Sequence, residues 1–311
     1  MPTPDPKDEY RHAPDAEPLW NESYYMDWFS EDLSLGGYTR IGFYPNLDRI
    51  WYWACLVGPD RKLVTVIDHS VPLPRSDSSL EVRHDSLWAD HAIETPLEHM
   101  SLNLESFAVQ LDDPADVYRD CRGEIVPFGF ELDFFTDRAG YLWPPLTSRY
   151  EIPCRVHGQI SIGDETIPFD GWGQRDHSWG AARDWWTNMW TWSAGRLDDG
   201  TRWHCAGGFF EDLDLGVGYI LDADQSAESV QFREFGEVPV NGVNNRDGFF
   251  DSATHTLGDV TFEFTPVAFS PVNLEHDDGR IARFPRAMAK VRTSDGRSGA
   301  GWIEWNQPPA G

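Results

Sequence analysis

Basic residues are scarce in this sequence. Lysine and arginine together number 25 against 52 acidic residues, a formal net charge of −27. So negative a chain repels nucleic acid and anionic membrane surfaces, and neither is an expected partner. Cysteine is sparse as well. Cys55, Cys121, Cys154 and Cys205 form no CxxC pair and no short metal-type spacing. They read as reduced, mostly buried thiols of a cytoplasmic protein. No apolar run approaches the roughly 20 residues of a membrane-spanning helix, so no membrane span is expected. The N-terminal MPTPDPKDEYRHAPDAEP lacks the apolar core of a secretory signal. Its polar, proline-rich composition predicts a flexible tail over residues 1–17. A long helical period is missing after residue 20.

Tryptophan, in contrast, is abundant, with 15 in 311 residues, and the hydrophobic content of 40% supports a real core. So many indoles hint at an aromatic-lined cavity, although packing between sheets accounts for most of them. The segment PLWNESYYMDWF alternates, with Glu22, Tyr24, Met26 and Trp28 on one side and Ser23, Tyr25 and Asp27 on the other. Strand-like runs follow as TRIGFYP, RIWYWACLV, LVTVIDHSVPL, HMSLNLESFAVQLD and PFGFELDFFTD, divided by Gly, Asp and Pro turns. Residues 75–96 read as a charged surface loop, and DPADVYRDC as a short helix capped by Asp113. RYEIPCRVHGQISIG and ETIPFDGWG form a hairpin. TRWHCAGGFFED, VGYILDA, SVQFREFGEV, DSATHTLGDVTFEFTPV and AMAKVRTSDGRSGAGWIEWN complete the series. These runs are too many for one eight-stranded barrel. The expected fold class is all-β, with two antiparallel barrels in tandem over residues 18–170 and 171–311.

The chain is organised around residues 171–192, GWGQRDHSWGAARDWWTNMWTW. Its first half reads as a turn or strand end. DWWTNMWTWSAG reads as a strand with Trp186, Asn188, Trp190 and Trp192 on one face. Charged groups set among indoles are costly to bury unless paired or used.

The block GWGQRDHSWGAARDWW resembles the lipocalin-like superfamily of carotenoid 1,2-hydratases and AttH-type proteins. Its fungal relatives include an isoflavonoid hydratase and decalin-forming pericyclases. NESYYMDWF and GGYTRIGFYPN resemble an uncharacterised bacterial branch of it. The resemblance implies two lipocalin-like barrels, no cofactor, and a hydrophobic ligand held in or between them. It also implies that Asp176 is the proton donor. Arg175 before that aspartate and Ser178 after His177 depart from the hydratase form.

The chemistry of the block has two readings. As a general acid, an Asp176 ringed by indoles holds its proton and protonates an alkene or enol. Trp179, Trp186 or Trp190 then stabilises the cation, and His177 or Glu22 orients water. Alternatively Asp176 pairs with Arg175 or Arg183 and pins a turn, while His177 is a satisfied core histidine. Arg183 with Asp184 reads as a structural ion pair or a clamp on a polar ligand end. Tyr24 and Tyr25 are ligand donors or cross-strand packing, and Trp192 lines the cavity. No metal is expected: Asp176, His177, His204 and His157 match no zinc spacing, and adjacent Asp and His on a strand point to opposite faces. The expected function is a cofactor-independent hydratase or isomerase acting on an isoprenoid-, steroid- or polyketide-like molecule. A non-catalytic carrier and a pericyclase are the alternatives. The protein is expected to be a monomer or homodimer.

Overall fold

A computed structural model describes residues 3–145, 147–180, 184–210, 213–222 and 249–306. Arg183 and the strand expected at residues 229–238 lie outside the described residues. Among the described residues, twenty β-strands and three short 3₁₀ turns make up the regular structure. No helix among the described residues is long and apolar enough to cross a membrane.

The first sheet runs β4 (Leu63–Val71), β3 (Arg49–Val57), β2 (Gly36–Tyr44), β1 (Asn21–Ser30), β11 (Glu165–Gly180), β10 (Ser148–Ile162), β8 (Glu124–Thr136) and β7 (His99–Leu111). It closes on itself where β4 pairs with β7 from Leu63↔Leu111 to Thr65↔Val109. The result is an eight-stranded antiparallel barrel. β5 (Glu81–His84) and β6 (Leu87–Thr95) continue the sheet past β7, and β9 (Tyr141–Leu142) flanks β10. The segment expected as a loop at residues 75–96 therefore carries two strands. Its charges misled because they lie on the solvent side of an alternating pattern, as in LWADHAI.

The second sheet is seven-stranded. Its order is β14 (Leu213–Leu221), β13 (Arg202–Phe210), β12 (Met189–Leu197), β20 (Ser298–Asn306), β19 (Arg286–Thr293), β16 (Val260–Phe269) and β15 (Ala253–Leu257). Among the described residues its two edges do not pair. β17 (Val272–Glu275) and β18 (Ile281–Phe284) form a separate hairpin.

Alternation along β1 assigns each side chain to one of two compartments. Tyr24, Met26 and Trp28 pack inside the barrel, where the Trp28 ring meets Phe130 edge-on at 5.1 Å. Gly37 leaves room for that indole, since a Cβ there would lie 2.5 Å from its ring. Tyr25 and Phe29 face the other way, into a core shared with Trp185, Trp192, Met288 and Trp302 of the second half. The Trp302 indole donates to the Trp28 carbonyl at 3.0 Å, tying the two halves together.

Two expectations about boundaries meet different facts. Residue 171 lies in the middle of β11, which stays in the first sheet to Gly180; the chain enters the second sheet only at Met189. Part of the expected N-terminal tail is built into the fold. Pro6–Glu9 form a 3₁₀ turn started by Asp5, whose carboxylate accepts the Lys7 N–H at 3.0 Å, and Glu9 is 1% exposed. Composition misled here because this polar segment exchanges water for buried polar partners, and composition cannot reveal those. GWGQRDHSWG is the end of β11, the second of the two expected alternatives, whereas Trp185–Thr187 form a turn rather than the start of a strand. Its glycines do not break the strand; Gly171 and Gly173 fit where a Cβ would meet the β1 backbone.

Candidate functional site

β1 and β11 lie side by side and antiparallel, pairing Glu22↔Trp179, Tyr24↔His177, Tyr25↔Asp176 and Met26↔Arg175. The period of two sends His177 and Asp176 to opposite faces. The residues expected to form one site are therefore divided among separate places.

Inside the barrel, His177 stacks on Tyr24 at 3.9 Å. Its Nδ1 lies 2.8 Å from the Asp8 carbonyl and its Nε2 3.0 Å from Glu22 Oε1. The same Glu22 oxygen is 2.8 Å from His12 Nδ1, and Glu22 also accepts the His12 backbone N–H at 3.0 and 3.1 Å. Burial opposes charge on Glu22, yet the bonds from His12 and His177 outweigh it and hold its carboxyl below the ordinary range. His12 in turn stacks on Trp179 at 4.0 Å. Deeper in, Arg175 pairs with Glu9, which also accepts the Tyr150 hydroxyl at 2.8 Å and the Leu97 N–H at 2.6 Å. Glu22, Tyr24, Arg175, His177 and Trp179 thus close one end of the barrel together with the N-terminal segment.

Between the two sheets lies a second buried polar cluster. Arg149 donates to Asp176 at 2.6 Å and to Glu151 at 2.7 Å. Glu151 also accepts the Trp192 indole N–H at 3.2 Å and the Gln174 amide at 3.1 Å. Gln174 accepts the Tyr219 hydroxyl at 3.0 Å and donates its backbone N–H to Asp27 at 3.1 Å. The other Asp27 oxygen accepts the Tyr25 hydroxyl at 3.1 Å, and the Tyr25 ring meets Trp192 edge-on at 5.4 Å. Burial drives Asp27 well above the usual carboxylate range, further than the bonds from Tyr25 and Gln174 lower it. Burial resists the charge on Glu151 too, but Arg149, His204 and Gln174 hold its carboxyl below its ordinary value. His204, 3.5 Å from Glu151, is pushed by burial down to about 4 and is neutral near pH 7. Arg149 leads outward, over the half-buried Trp143 at 4.8 Å.

Trp186 and Trp190 belong to neither cluster. They pack with Trp185, Trp51 and Phe284 near the β17–β18 hairpin, where Trp186 donates to the Leu274 carbonyl at 3.4 Å. A surface cleft of about 570 Å³ along β5–β7, lined by Arg83, Trp88 and Phe107 among others, contains none of the central block.

Sequence reasoning missed Asp27, Arg149, Glu151, Gln174, His204 and Tyr219 in the inter-sheet cluster, and Glu9 and His12 at the barrel end. Arg149 and Glu151 did carry a signal: they stand two apart, hence on one face, in a strand otherwise destined for burial. Asp27, on the same face as Tyr25 in an aromatic strand, carried another.

The profile of the DUF7064 family, a domain of unknown function, matches residues 5–309. The chain belongs to the DUF7064 family. No curated protein matches its sequence. Solved structures do match in fold. An AttH-type protein from Nitrosomonas europaea shares 14% identity at a TM-score of 0.65, over 93% of this chain and 92% of its own. Kievitone hydratase from Nectria haematococca shares 10% at 0.60, over 98% and 93%. CghA in complex with Sch210972 shares 8% at 0.59, over 93% and 88%. The chain thus shares its fold with the AttH-type, hydratase and CghA structures. At these identities the likeness concerns architecture.

Proposed function

We propose that this DUF7064 protein is an acid–base enzyme of the hydratase or isomerase type, acting on a hydrophobic small molecule at the cluster between its two sheets. The observation that carries this reading is a pair of buried carboxyls pushed in opposite directions. Burial pushes Asp27 toward its protonated form while Arg149 and Gln174 favour the ionised form of Glu151, and one residue, Gln174, touches both. Such separation of two carboxyls by their surroundings is how one site supplies both an acid and a base near neutral pH. The fold shared with a hydratase supports the same class.

Asp176, the donor implied by the resemblance, is bound to Arg149, and a guanidinium at 2.6 Å favours the carboxylate. In this reading Asp176 therefore steadies positive charge, and the proton comes from Asp27 once the Tyr25–Asp27 bond reverses: Asp27 donates to the Tyr25 oxygen as that hydroxyl gives its own proton to the substrate. In a hydration, that proton goes to one alkene carbon. The cation at the other carbon is stabilised by the Trp192 face and the Asp176 carboxylate. Water then adds to it as Glu151 takes up the water's second proton, so that H and OH are added overall. In an isomerisation Glu151 removes one carbon-bound proton and Asp27 delivers another. The complete pairing of Arg149 with Asp176 and Glu151 also suits a carrier that binds without chemistry.

The test is native mass spectrometry with organic extraction of protein purified from its own host, followed by turnover of the extracted compound. Turnover by the wild type, lost in Asp27→Asn with binding retained, supports the acid. Binding without conversion identifies a carrier. Unchanged turnover in both Asp27→Asn and Asp176→Asn means that pocket shape alone does the work, as in a pericyclase.

A further inference from the structure

His12, Glu22 and His177 turn three potential ligand atoms toward one another at the barrel end. The Asp8 carbonyl can only accept, so His177 Nδ1 carries its proton there. His177 Nε2 then faces Glu22 Oε1 at 3.0 Å. The same oxygen faces His12 Nδ1 at 2.8 Å. Two imidazole nitrogens and a carboxylate oxygen thus converge on one point. The three ligand atoms lie within 4.8 Å of one another.

We propose that His12, Glu22 and His177 bind one divalent transition-metal ion of the zinc type. Two imidazoles and a carboxylate suit a borderline cation, with bonds of about 2.0–2.2 Å and a fourth position left for water. The outer contacts match what metal-bound histidines need, an acceptor on the far nitrogen that fixes the tautomer. Asp8 provides both: its carbonyl for His177 Nδ1, and its carboxylate 3.6 Å from His12 Nε2. Glu22 and His177 are fully buried, whereas His12 is 24% exposed and stacked on Trp179, so the ion reaches the site from the His12 side. Arg11, 3.8 Å from the second Glu22 oxygen, leaves the first for the metal. No spacing rule would find this site, because its ligands stand at positions 12, 22 and 177. It occupies the opposite face of β1 and β11 from Asp27 and Glu151, and does not depend on the acid–base reading. An ion here clips the N-terminal segment across the barrel end.

The experiment uses full-length protein freed of metal by chelator. Zn²⁺ is titrated by calorimetry and Co²⁺ by visible absorption. One equivalent of each is expected, with the intense bands of four-coordinate cobalt and a rise in melting temperature on Zn²⁺ addition. His12→Ala, at a partly exposed position, keeps the fold by circular dichroism but loses the cobalt bands. Its zinc affinity falls by more than roughly 100-fold, and Asp8→Asn loses roughly 10–100-fold. His84→Ala, a surface histidine paired with Asp68, leaves binding unchanged. Wild-type protein that binds neither ion, or His12→Ala that binds Zn²⁺ as the wild type does, overturns the proposal.

Discussion

Asp27 and Glu151 are two fully buried carboxyls joined by a single residue: Gln174 gives its backbone N–H to one and its amide to the other. Replacing Asp27 by Asn keeps the shape and removes the proton. If Asp27 is the acid, turnover of the extracted ligand falls by roughly 10²–10⁴-fold, the range of a lost general acid. The ligand's dissociation constant stays near that of the wild type.

Asp27 also makes a stability prediction with a definite sign. Its carboxyl is raised in the folded state, so the folded protein holds the proton better than the unfolded chain. That contribution is fully present below the ordinary aspartate range, near 3.8, and is lost as pH rises toward the raised value. Urea unfolding across this window should show Asp27→Asn gaining on the wild type as pH increases. Parallel curves would mean Asp27 is ionised.

Buried histidines act in the other direction. His69 and His204 are lowered to about 4, and His91 and His255 to about 3, in each case chiefly by burial. Below 6.5, the ordinary histidine value, the unfolded chain takes up protons that the folded one refuses. Stability is therefore lost as pH falls from about 6.5 toward 4. Melting temperature measured over this interval should drop, and His91→Phe, which removes one such group, should flatten the slope.

Arg149 holds two carboxylates away from water. Arg149→Met leaves both without their cation and should cost about 3–5 kcal/mol in urea unfolding, the range for breaking a buried pair. The triple change Arg149→Met, Glu151→Gln, Asp176→Asn removes the stranded charge and should recover part of that loss.

Glu9 is the corresponding anchor at the barrel end. Glu9→Ala abandons the buried guanidinium of Arg175 and the Tyr150 hydroxyl, with an expected cost again of about 3–5 kcal/mol. Limited proteolysis should then cut within residues 3–17, which resist in the wild type. Equal resistance in both would show that Glu9 does not hold the segment.

Much of this architecture was legible in the sequence. Period-two alternation revealed the strands and correctly divided Tyr24 from Tyr25 and Asp176 from His177, because side-chain direction in a strand is a local property. The 3₁₀ turn capped by Asp113 was legible for the same reason; Asp113 accepts the Ala115 N–H at 2.9 Å. What alternation does not carry is the identity of partners across the sheet. Arg149 reaches Asp176 from 27 residues away, and no local pattern announces that contact. Part of the N-terminal segment was misread through composition, since Glu9, Arg11 and His12 find partners on β1, β10 and β11 that composition does not reveal. The turn at Trp185–Thr187 was misread because two adjacent indoles mimic a strand, while both fold into the same core.

The plug at the barrel end also has a consequence in time. Asp8, Glu9 and His12 are made early, but Arg175, His177 and Trp179 follow only after more than 160 further residues. During synthesis the segment has no binding site until β11 exists. Contacts so distant along the chain form slowly, and the β1–β11 pairing that completes the barrel is just as distant, so the sheet and its plugged end both wait for β11.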